Sequence, residues 1–257
     1  MTGLDREQVD WLHEQLGSMV EWDAPTGRPR ALSLYAAVVM VLFALRHNLP
    51  SDVLGELFGC GSTTVEGYQD QLEALIDVVL SPLYEEVREQ ARQGAVLVDG
   101  LVAPVGERDG VEGLFSDKKG HSGQNVQVVA TLSGRVADVG DPCPGSIHDS
   151  RAFHQSGIAE RWAGHYEQGG MGIAGDKGYQ GTGIATPYKK PPGRELTDVR
   201  RACNRAHSRL RAAVERAIAH LKCWKVLKTG FRRSLEEFPA VLRIVTKLEV
   251  FRVYGLH

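Results

Sequence analysis

The stretch NRAHSRLRAAVERAIAHLKCWKVLK, residues 204–228, contains no proline or glycine and holds one acid among many basic residues. Its apolar residues recur at helical spacing, which predicts one long helix. The acid is Glu215; Arg211 precedes it by four positions and Lys222 follows it by seven, so all three would share roughly one face. Such an Arg–Glu pair is common on helix surfaces and is worth about 0.2–0.5 kcal/mol. Its meaning therefore depends on the residues upstream.

Charge is divided unevenly along the chain. The 257 residues carry a formal net charge of −2 at pH 7, but residues 177–257 hold 18 Lys and Arg against 6 Asp and Glu. A basic segment of this kind is typical of proteins that bind a polyanion. A soluble enzyme with another function would show a milder division, so the pattern favours a nucleic-acid partner.

The remaining composition indicates the compartment. No run of about 18 apolar residues occurs, so no membrane-spanning segment is expected, and the acidic, amphipathic N-terminus does not read as a signal peptide. The four cysteines are scattered without a C-x-x-C pair, which predicts reduced thiols in the cytoplasm rather than disulfides or a zinc site.

Residues 1–90 predict a small all-α domain. A short helix, the turn Gly59-Cys60-Gly61 and a longer helix form a helix-turn-helix pattern, and the second helix begins with small polar residues where DNA would be met. That helix start has no Lys or Arg and carries Glu66 and Asp70, which weakens the DNA-reading interpretation. A plain helical bundle used for dimerisation or as a spacer therefore remains open.

Residues 91–257 predict an α/β domain. Strands are expected over 94–107, 125–132 and 135–139, then a helix to about Trp162, a short strand within 170–183 that ends on Asp176, a strand over IATPYKKPPG (184–193), and the basic helix. This β-β-β-α-β-β-α order is that of the ribonuclease H-like fold, a mixed five-stranded sheet with flanking helices. In that fold the first and fourth strands are neighbours.

Three acids would converge in this arrangement. Asp99 lies on the first strand, Asp176 ends the fourth, and Glu215 would pack across them from the last helix. Three clustered carboxylates repel one another unless cations intervene, and two Mg²⁺ ions, which prefer oxygen ligands, would satisfy them. The pattern predicts Asp99, Asp176 and Glu215 as catalytic metal ligands.

The second acid of this set has a competitor. Asp149, in the segment SIHDSRAF, is also compatible by spacing, either as an additional metal ligand or as a helix cap. Asp176 is favoured because it ends a strand. His148 reads better as a capping residue than as a ligand, and His121 lies in a Gly/Lys-rich stretch expected to form a loop near DNA or the metals.

These residues resemble the DDE transposases of bacterial insertion sequences, in particular the branch of insertion-sequence family five and the Harbinger-like elements. The resemblance covers about residues 30–250. Its pieces are LVDG (97–100), GQNVQVVA (123–130), PGSIHDSRAF (144–153), AGDKGYQG (174–181), PYKKP (187–191) and the R-x3-E-x6-K of Arg211, Glu215 and Lys222. The family has a Tyr three residues before the Arg, and here that position is Ser208.

The resemblance implies a transposase that cleaves DNA and transfers strands with two Mg²⁺ ions, for which Mn²⁺ can substitute. Its partners would be the terminal inverted repeats of its own element and target DNA, bound by a homodimer or larger assembly in the bacterial cytoplasm. Arg211 and Lys222 would contact DNA phosphates or orient Glu215. The residues expected to contact DNA are Arg211, Lys222, Arg205, Arg209, Arg216, Lys225, Lys177 and Lys189.

Two further functions stay open beside this one. The first is a domesticated, catalytically inactive DNA-binding relative, against which the intact set of acids argues. The second is a ribonuclease H-like nuclease that does not transpose, against which the helix-turn-helix pattern argues.

Overall fold

The computed structural model describes residues 1–23, 29–167 and 172–256. The helices are α1 (Arg6–Met19), α2 (Leu34–His47), α3 (Ser51–Phe58), α4 (Ser62–Ala91), α5 (Asp149–Gln155), α6 (Ile158–Arg161), α7 (Ala163–Glu167), α8 (Asp198–Leu221) and α9 (Phe238–Tyr254). The strands are β1 (Val96–Pro104), β2 (Phe115–Ser116), β3 (His121–Thr131), β4 (Val136–Val139), β5 (Cys143–Pro144) and β6 (Ile173–Gly175). None of the described helices is long and apolar enough to cross a membrane.

The chain divides into two compact units. One consists of Met1–Tyr84 with Leu221–His257, and the other of Glu85–His220. These compact units differ from the predicted division into residues 1–90 and 91–257, which grouped the C-terminal segment with the sheet. The segment joins the N-terminal helices because its large apolar residues are buried there: the Trp11 and Phe251 rings lie 4.9 Å apart, and Gln8 Nε2 donates to the Phe251 carbonyl at 3.1 Å.

The helical unit contains the predicted pair of helices joined by a short turn. Helix α3 ends at Gly59, which has φ of 73°, a left-handed conformation that glycine adopts without strain. A Cβ on Gly55 would lie 2.5 Å from the Cys60 carbonyl oxygen, so this turn needs glycine at two positions. Helix α4 then begins at Ser62 with exposed Ser62 and Thr63, and its 30 residues extend well past the predicted end near Leu80.

The second unit contains a mixed sheet built around β1. Strand β1 pairs with β3 in antiparallel orientation and with β6 in parallel orientation, and β3 pairs further with β2, β4 and β5. The predicted neighbourhood of the first and fourth predicted strands, β1 and β6, is therefore confirmed. The side chains of Val96, Val98 and Val129 join a buried cluster with Phe153 and Trp162.

The predicted count of five strands does not match the described part of the chain. The short strands β2 and β5 were not expected. The strand predicted over 184–193 is reduced to one bridge between Ala174 and Ala185. Proline has no N–H for a ladder, and Pro187, Pro191 and Pro192 follow that bridge closely. The first two residues of the predicted segment 170–183 lie outside the described ranges.

The basic helix also differs from its predicted bounds of 204–228. Helix α8 starts six residues earlier, at Asp198, and ends at Leu221. Trp224 follows in a turn, where its side chain is fully buried and its Nε1 donates to Glu249 Oε2 at 3.1 Å. Burial of this indole in the helical unit requires the chain to leave the helix. Lys222 and Lys225 consequently lie beyond α8, and the helix face predicted to hold Arg211, Glu215 and Lys222 does not include Lys222.

Candidate active site

Two acids lie side by side on paired strands: Asp99 lies within β1, and Asp176 directly follows β6. The parallel register of β1 and β6 matches Val98 with Gly175, so the next residues, Asp99 and Asp176, follow at the same level. Asp99 Oδ1 accepts from the Gly100 N–H at 2.8 Å, and Asp176 Oδ1 accepts from the Gly178 N–H at 2.6 Å. Both carboxylates are thereby oriented by the backbone.

Helix α8 brings a third acid and a cation to this pair. Arg211 Nη2 lies 3.4 Å from Asp99 Oδ2, 4.0 Å from Asp176 Oδ2 and 3.7 Å from Glu215 Oε1. One guanidinium nitrogen therefore faces all three predicted acids. The Asp99 and Asp176 side chains are 13% and 20% exposed, whereas that of Glu215 is 61% exposed. The structure brings the three acids together, as the sequence predicted.

The electrostatics of Asp99 reflect this crowding. Burial is the largest cause that raises the pKa of Asp99, and the charges of Asp176 and Asp149 add to it. The Gly100 N–H and the charge of Arg211 act in the opposite direction without cancelling the rise. The site thus disfavours a full set of ionised carboxylates without additional positive charge.

Asp149 reaches the site from the other side of β1. A Cβ on Gly100 would lie 2.4 Å from Asp149 Oδ1, so Asp149 occupies the space that a side chain at residue 100 would need. Successive strand residues point to opposite faces, which directs Asp99 away from Asp149 and toward Arg211. Asp149 is the first residue of α5, and the cap of that helix is His148, whose side chain accepts from the Ser150 N–H.

The oxygens of Asp149 have protein partners. Lys118 Nζ donates to Oδ2 at 2.8 Å, and Asn125 Nδ2 donates to Oδ1 at 3.1 Å. Burial lowers the pKa of Lys118, but the hydrogen bond to Asp149 and the charge of that carboxylate outweigh burial and raise the pKa overall. Asp149 is therefore a carboxylate fixed by two protein donors, and its side chain is 9% exposed.

A buried chain of hydrogen bonds leads to Asp149. Tyr179 Oη donates to Gln127 Oε1 at 2.6 Å, Gln127 Nε2 donates to Asn125 Oδ1 at 2.9 Å, and Asn125 donates to Asp149 and to the Ile147 carbonyl. Tyr179 and Gln127 are fully buried. Burial, followed by the charges of the neighbouring aspartates, raises the pKa of Tyr179 well above its ordinary value, so its hydroxyl stays a donor. The hydrogen bond from Tyr179 fixes the orientation of the Gln127 amide, and the hydrogen bond from Gln127 fixes that of the Asn125 amide.

The sequence patterns predict no individual role for Tyr179, Gln127, Asn125 or Lys118. A signal existed: in the buried strand β3, Asn125 and Gln127 are polar residues two positions apart, which places them on one face of an apolar strand. Polar groups buried in this way require partners. The pattern would have predicted a polar contact, but not with which residues.

Apart from Arg211, which lies among the acids, the predicted DNA-contacting residues fall into three groups. Lys177, Lys189, Arg205 and Arg209 are exposed in the second unit. Arg216 is exposed on α8 and donates to the Ser133 carbonyl at 3.1 Å. Lys222 and Lys225 belong to the helical unit. His121 begins β3 and pairs with Ser116 of β2 rather than lying in a loop.

The donor chemistry fits a divalent metal, but the acids do not form a closed cage. Carboxylate oxygens are the ligands that hard cations such as Mg²⁺ and Mn²⁺ prefer. Within residues 1–23, 29–167 and 172–256, no three Asp, Glu, His or Cys side chains are close enough together to hold one ion. Arg211 Nη2 lies among Asp99, Asp176 and Glu215, where a cation would be needed.

Comparison with known proteins gives consistent matches. A family model described as DDE superfamily endonuclease matches residues 98–249. The chain is 31% identical over 204 residues to the putative transposase for insertion sequence element IS112 of Streptomyces albus G, covering 79% of this chain and 74% of that protein. It is 24% identical over 249 residues to the probable transposase for insertion sequence element IS702 of Microchaete diplosiphon, covering 93% and 87% respectively. No solved structure matches the chain significantly.

Proposed function

This chain belongs to the DDE superfamily of endonucleases and is an insertion-sequence transposase, and we propose that Asp99, Asp176 and Glu215 are the acids that carry its DNA cleavage. The observation that supports this assignment is their meeting around Arg211 Nη2, within 4.0 Å, inside the segment that matches the family. Asp99 lies in β1, Asp176 directly follows β6, and Glu215 lies in α8, so rigid elements position all three.

The proposed reaction is metal-dependent phosphodiester hydrolysis followed by strand transfer. DDE endonucleases use divalent metal ions, and we assign Mg²⁺ in two positions, with Mn²⁺ as a substitute, from the oxygen-only donor set. When bound, such ions activate the attacking hydroxyl and stabilise the leaving oxygen. The protein side chains orient the scissile phosphate, and the reaction needs no covalent protein intermediate.

Asp176 is the better second acid than Asp149. Asp176 Oδ2 faces the same nitrogen of Arg211 as Asp99 and Glu215, whereas both oxygens of Asp149 are engaged by Lys118 and Asn125. Asp149 is assigned an outer role: its negative charge adds to the site from the opposite side of β1. It remains in the proposed set of metal-binding residues as an outer ligand.

The N-terminal part of α8 and the segment before it form the proposed DNA surface. Asn204 accepts from the Tyr188 N–H at 2.8 Å and donates to the Tyr188 carbonyl at 3.0 Å, which fastens this segment to the helix beside exposed Lys189. Arg205 and Arg209 continue the exposed positive charge toward Arg211. Exposed cations in a row neutralise successive phosphates, which gives affinity without sequence preference.

Several finer assignments complete the proposal. The catalytic unit is assigned the ribonuclease H-like fold, supported by the parallel pairing of β1 with β6 and by α8 packing against the acids. The start of α4, with exposed Ser62 and Thr63, is assigned to DNA contact in a helix-turn-helix module. The terminal repeats of its own element and target DNA are the proposed partners, in a homodimer or larger assembly. The motifs support the branch of insertion-sequence family five and Harbinger-like elements.

The test is cleavage of DNA that carries the ends of the chain's own element. The purified protein should nick or cut these duplexes at the element boundary when Mg²⁺ or Mn²⁺ is supplied, and should not cut them in EDTA. A shuffled duplex of the same composition is the control for nonspecific nuclease activity. Binding without cleavage under all metal conditions would favour a domesticated relative, and cleavage of both duplexes alike would favour a general nuclease.

A further inference from the structure

We propose that Arg211 is a resident counter-ion: in the metal-free protein its guanidinium holds the three acids together, and it must leave them when a divalent cation binds. This inference rests on the proposed metal site at Asp99, Asp176 and Glu215. Metal binding is then a competition between the Arg211 guanidinium and the metal ion for the same carboxylate oxygens.

The contacts of Arg211 are those of a loosely held charge. A single nitrogen, Nη2, lies between 3.4 and 4.0 Å from three different carboxylates. Charge-assisted hydrogen bonds in proteins are shorter, about 2.7–2.9 Å, and arginine reaches its full strength through bidentate pairs. The guanidinium neutralises the acids without being locked to any one of them.

Arg233 in the same chain shows the contrasting, locked arrangement. Its Nη1 lies 2.7 and 2.9 Å from the two oxygens of Glu73, and its Nε lies 2.6 Å from Glu237. Arg233 therefore uses two of its nitrogens, Nε and Nη1, at hydrogen-bonding distance, whereas the Nε of Arg211 is buried and has no hydrogen-bond partner among the described residues. A buried donor without a partner is costly, so leaving this position relieves a penalty.

The solvent exposure of Arg211 and Glu215 is also compatible with displacement of the guanidinium by a metal ion. The Arg211 side chain is 35% exposed, and Glu215, one turn further along α8, is 61% exposed, so a side-chain rotation can take the guanidinium into solvent. A dication supplies more positive charge than a guanidinium to the same oxygens. Removal of Arg211 should therefore destabilise the metal-free protein, because the acids then repel, and tighten metal binding, because nothing has to be displaced.

The experiment measures Mn²⁺ binding to the full chain without DNA, by titration calorimetry or by electron paramagnetic resonance of the free ion. Arg211→Met keeps the length of the side chain and removes its charge; Arg243→Met, which removes an exposed arginine from helix α9, is the control. The expected result is an apparent Kd lower by on the order of tenfold in Arg211→Met, a lower Tm in EDTA, and unchanged values in Arg243→Met. Unchanged or weaker Mn²⁺ binding in Arg211→Met would overturn the inference.

Two further measurements keep the result interpretable. Asp176→Asn and Glu215→Gln should abolish Mn²⁺ binding; if they do not, the proposed metal site itself fails, whereas their success with no effect of Arg211→Met refutes only the counter-ion. In the wild type, the side-chain Nε–H resonance of Arg211, assigned by its loss in Arg211→Lys, should shift on addition of diamagnetic Mg²⁺. An unshifted resonance at saturating Mg²⁺ would show that Arg211 stays in place, even if Arg211→Met does not fold.

Discussion

Gly100 and Asp149 fit together so closely that a Cβ on Gly100 would lie 2.4 Å from the Asp149 carboxylate oxygen. Real Cβ atoms do not approach another atom so closely, so the two positions are coupled although they are distant in sequence. The glycine of the LVDG segment thus makes room for the aspartate of the SIHDS segment. The separate sequence segments LVDG and SIHDS therefore form one packed contact.

The first prediction follows from this contact. Gly100→Ala should destabilise the protein by about 1–3 kcal/mol, because overpacking forces the Asp149 carboxylate or the strand to shift. Gly67→Ala is the matched control: Gly67 lies within α4 with no heavy atom within 4 Å of the added Cβ, so it should stabilise the helix by about 0.5–1 kcal/mol. Urea unfolding measures both. In the background of Asp149→Ala the cost of Gly100→Ala should fall; equal costs in both backgrounds would refute the coupling.

A second prediction concerns the buried chain that ends on Asp149. Gln127→Met should cost more free energy of unfolding than Tyr179→Phe, because it leaves both the Tyr179 hydroxyl and the Asn125 amide oxygen without their partner. Each buried polar group that loses its partner costs about 1–3 kcal/mol. Denaturant unfolding of the two variants decides the matter. If Tyr179→Phe is as costly as Gln127→Met, the chain does not continue through Gln127 to Asn125.

The third prediction is a pH dependence set by Asp99. Its folded pKa is raised, mainly by burial, so the cost of ionising it is fully present above the folded pKa and absent below the unfolded value of about 3.9. In EDTA, Asp99→Asn should therefore be more stable than wild type at pH 7, and the gain should shrink as the pH falls toward 4. Each kcal/mol would raise Tm by about 2–4 °C. Thermal melts across this range check the prediction, with exposed Glu89→Gln as control; a gain that grows toward low pH would contradict it.

A fourth prediction concerns DNA affinity. Arg205→Glu with Arg209→Glu should weaken binding to all sequences about equally and flatten the dependence of log K on log salt, because fewer counterions are released. The charge-matched control is Arg6→Glu with Arg243→Glu, which reverses two exposed arginines of the helical unit. Fluorescence anisotropy at several salt concentrations measures both slopes. An equal loss in the two double variants would mean that net charge, rather than the surface on α8, determines binding.

Strand positions and the location of the acids could be predicted from the sequence better than the ends of helices and the partners against which they pack. Asp99 and Asp176 were placed correctly beside each other because strand order, read from apolar runs and breakers, determines which strands pair. The end of α8 was missed because it depends on burial of Trp224 in the helical unit, a tertiary contact that no local pattern encodes. For the same reason the final helix could be predicted, whereas its place in one compact unit with the N-terminal helices could not.

The candidate site shows the same limit. Glu215 and Arg211 were found by their spacing, but the position of Arg211 among three acids depends on how α8 packs across β1 and β6. The buried series of hydrogen bonds through Gln127 joins residues of the single strand β3 to Tyr179, in a turn 52 positions away. Periodicity gives the face on which a side chain lies, and packing gives its partner.

The most direct test of the proposed catalytic acids is single-turnover cleavage of element-end DNA in Mg²⁺ by four variants that keep side-chain size: Asp99→Asn, Asp176→Asn, Glu215→Gln and Asp149→Asn. Each variant is first shown to be folded by circular dichroism and to bind the DNA. We expect the first three variants to lose cleavage by at least roughly a hundredfold and Asp149→Asn to keep more activity than any of them. Near wild-type cleavage by Asp176→Asn, together with full loss in Asp149→Asn, would contradict the assignment of the second acid and with it the proposed site.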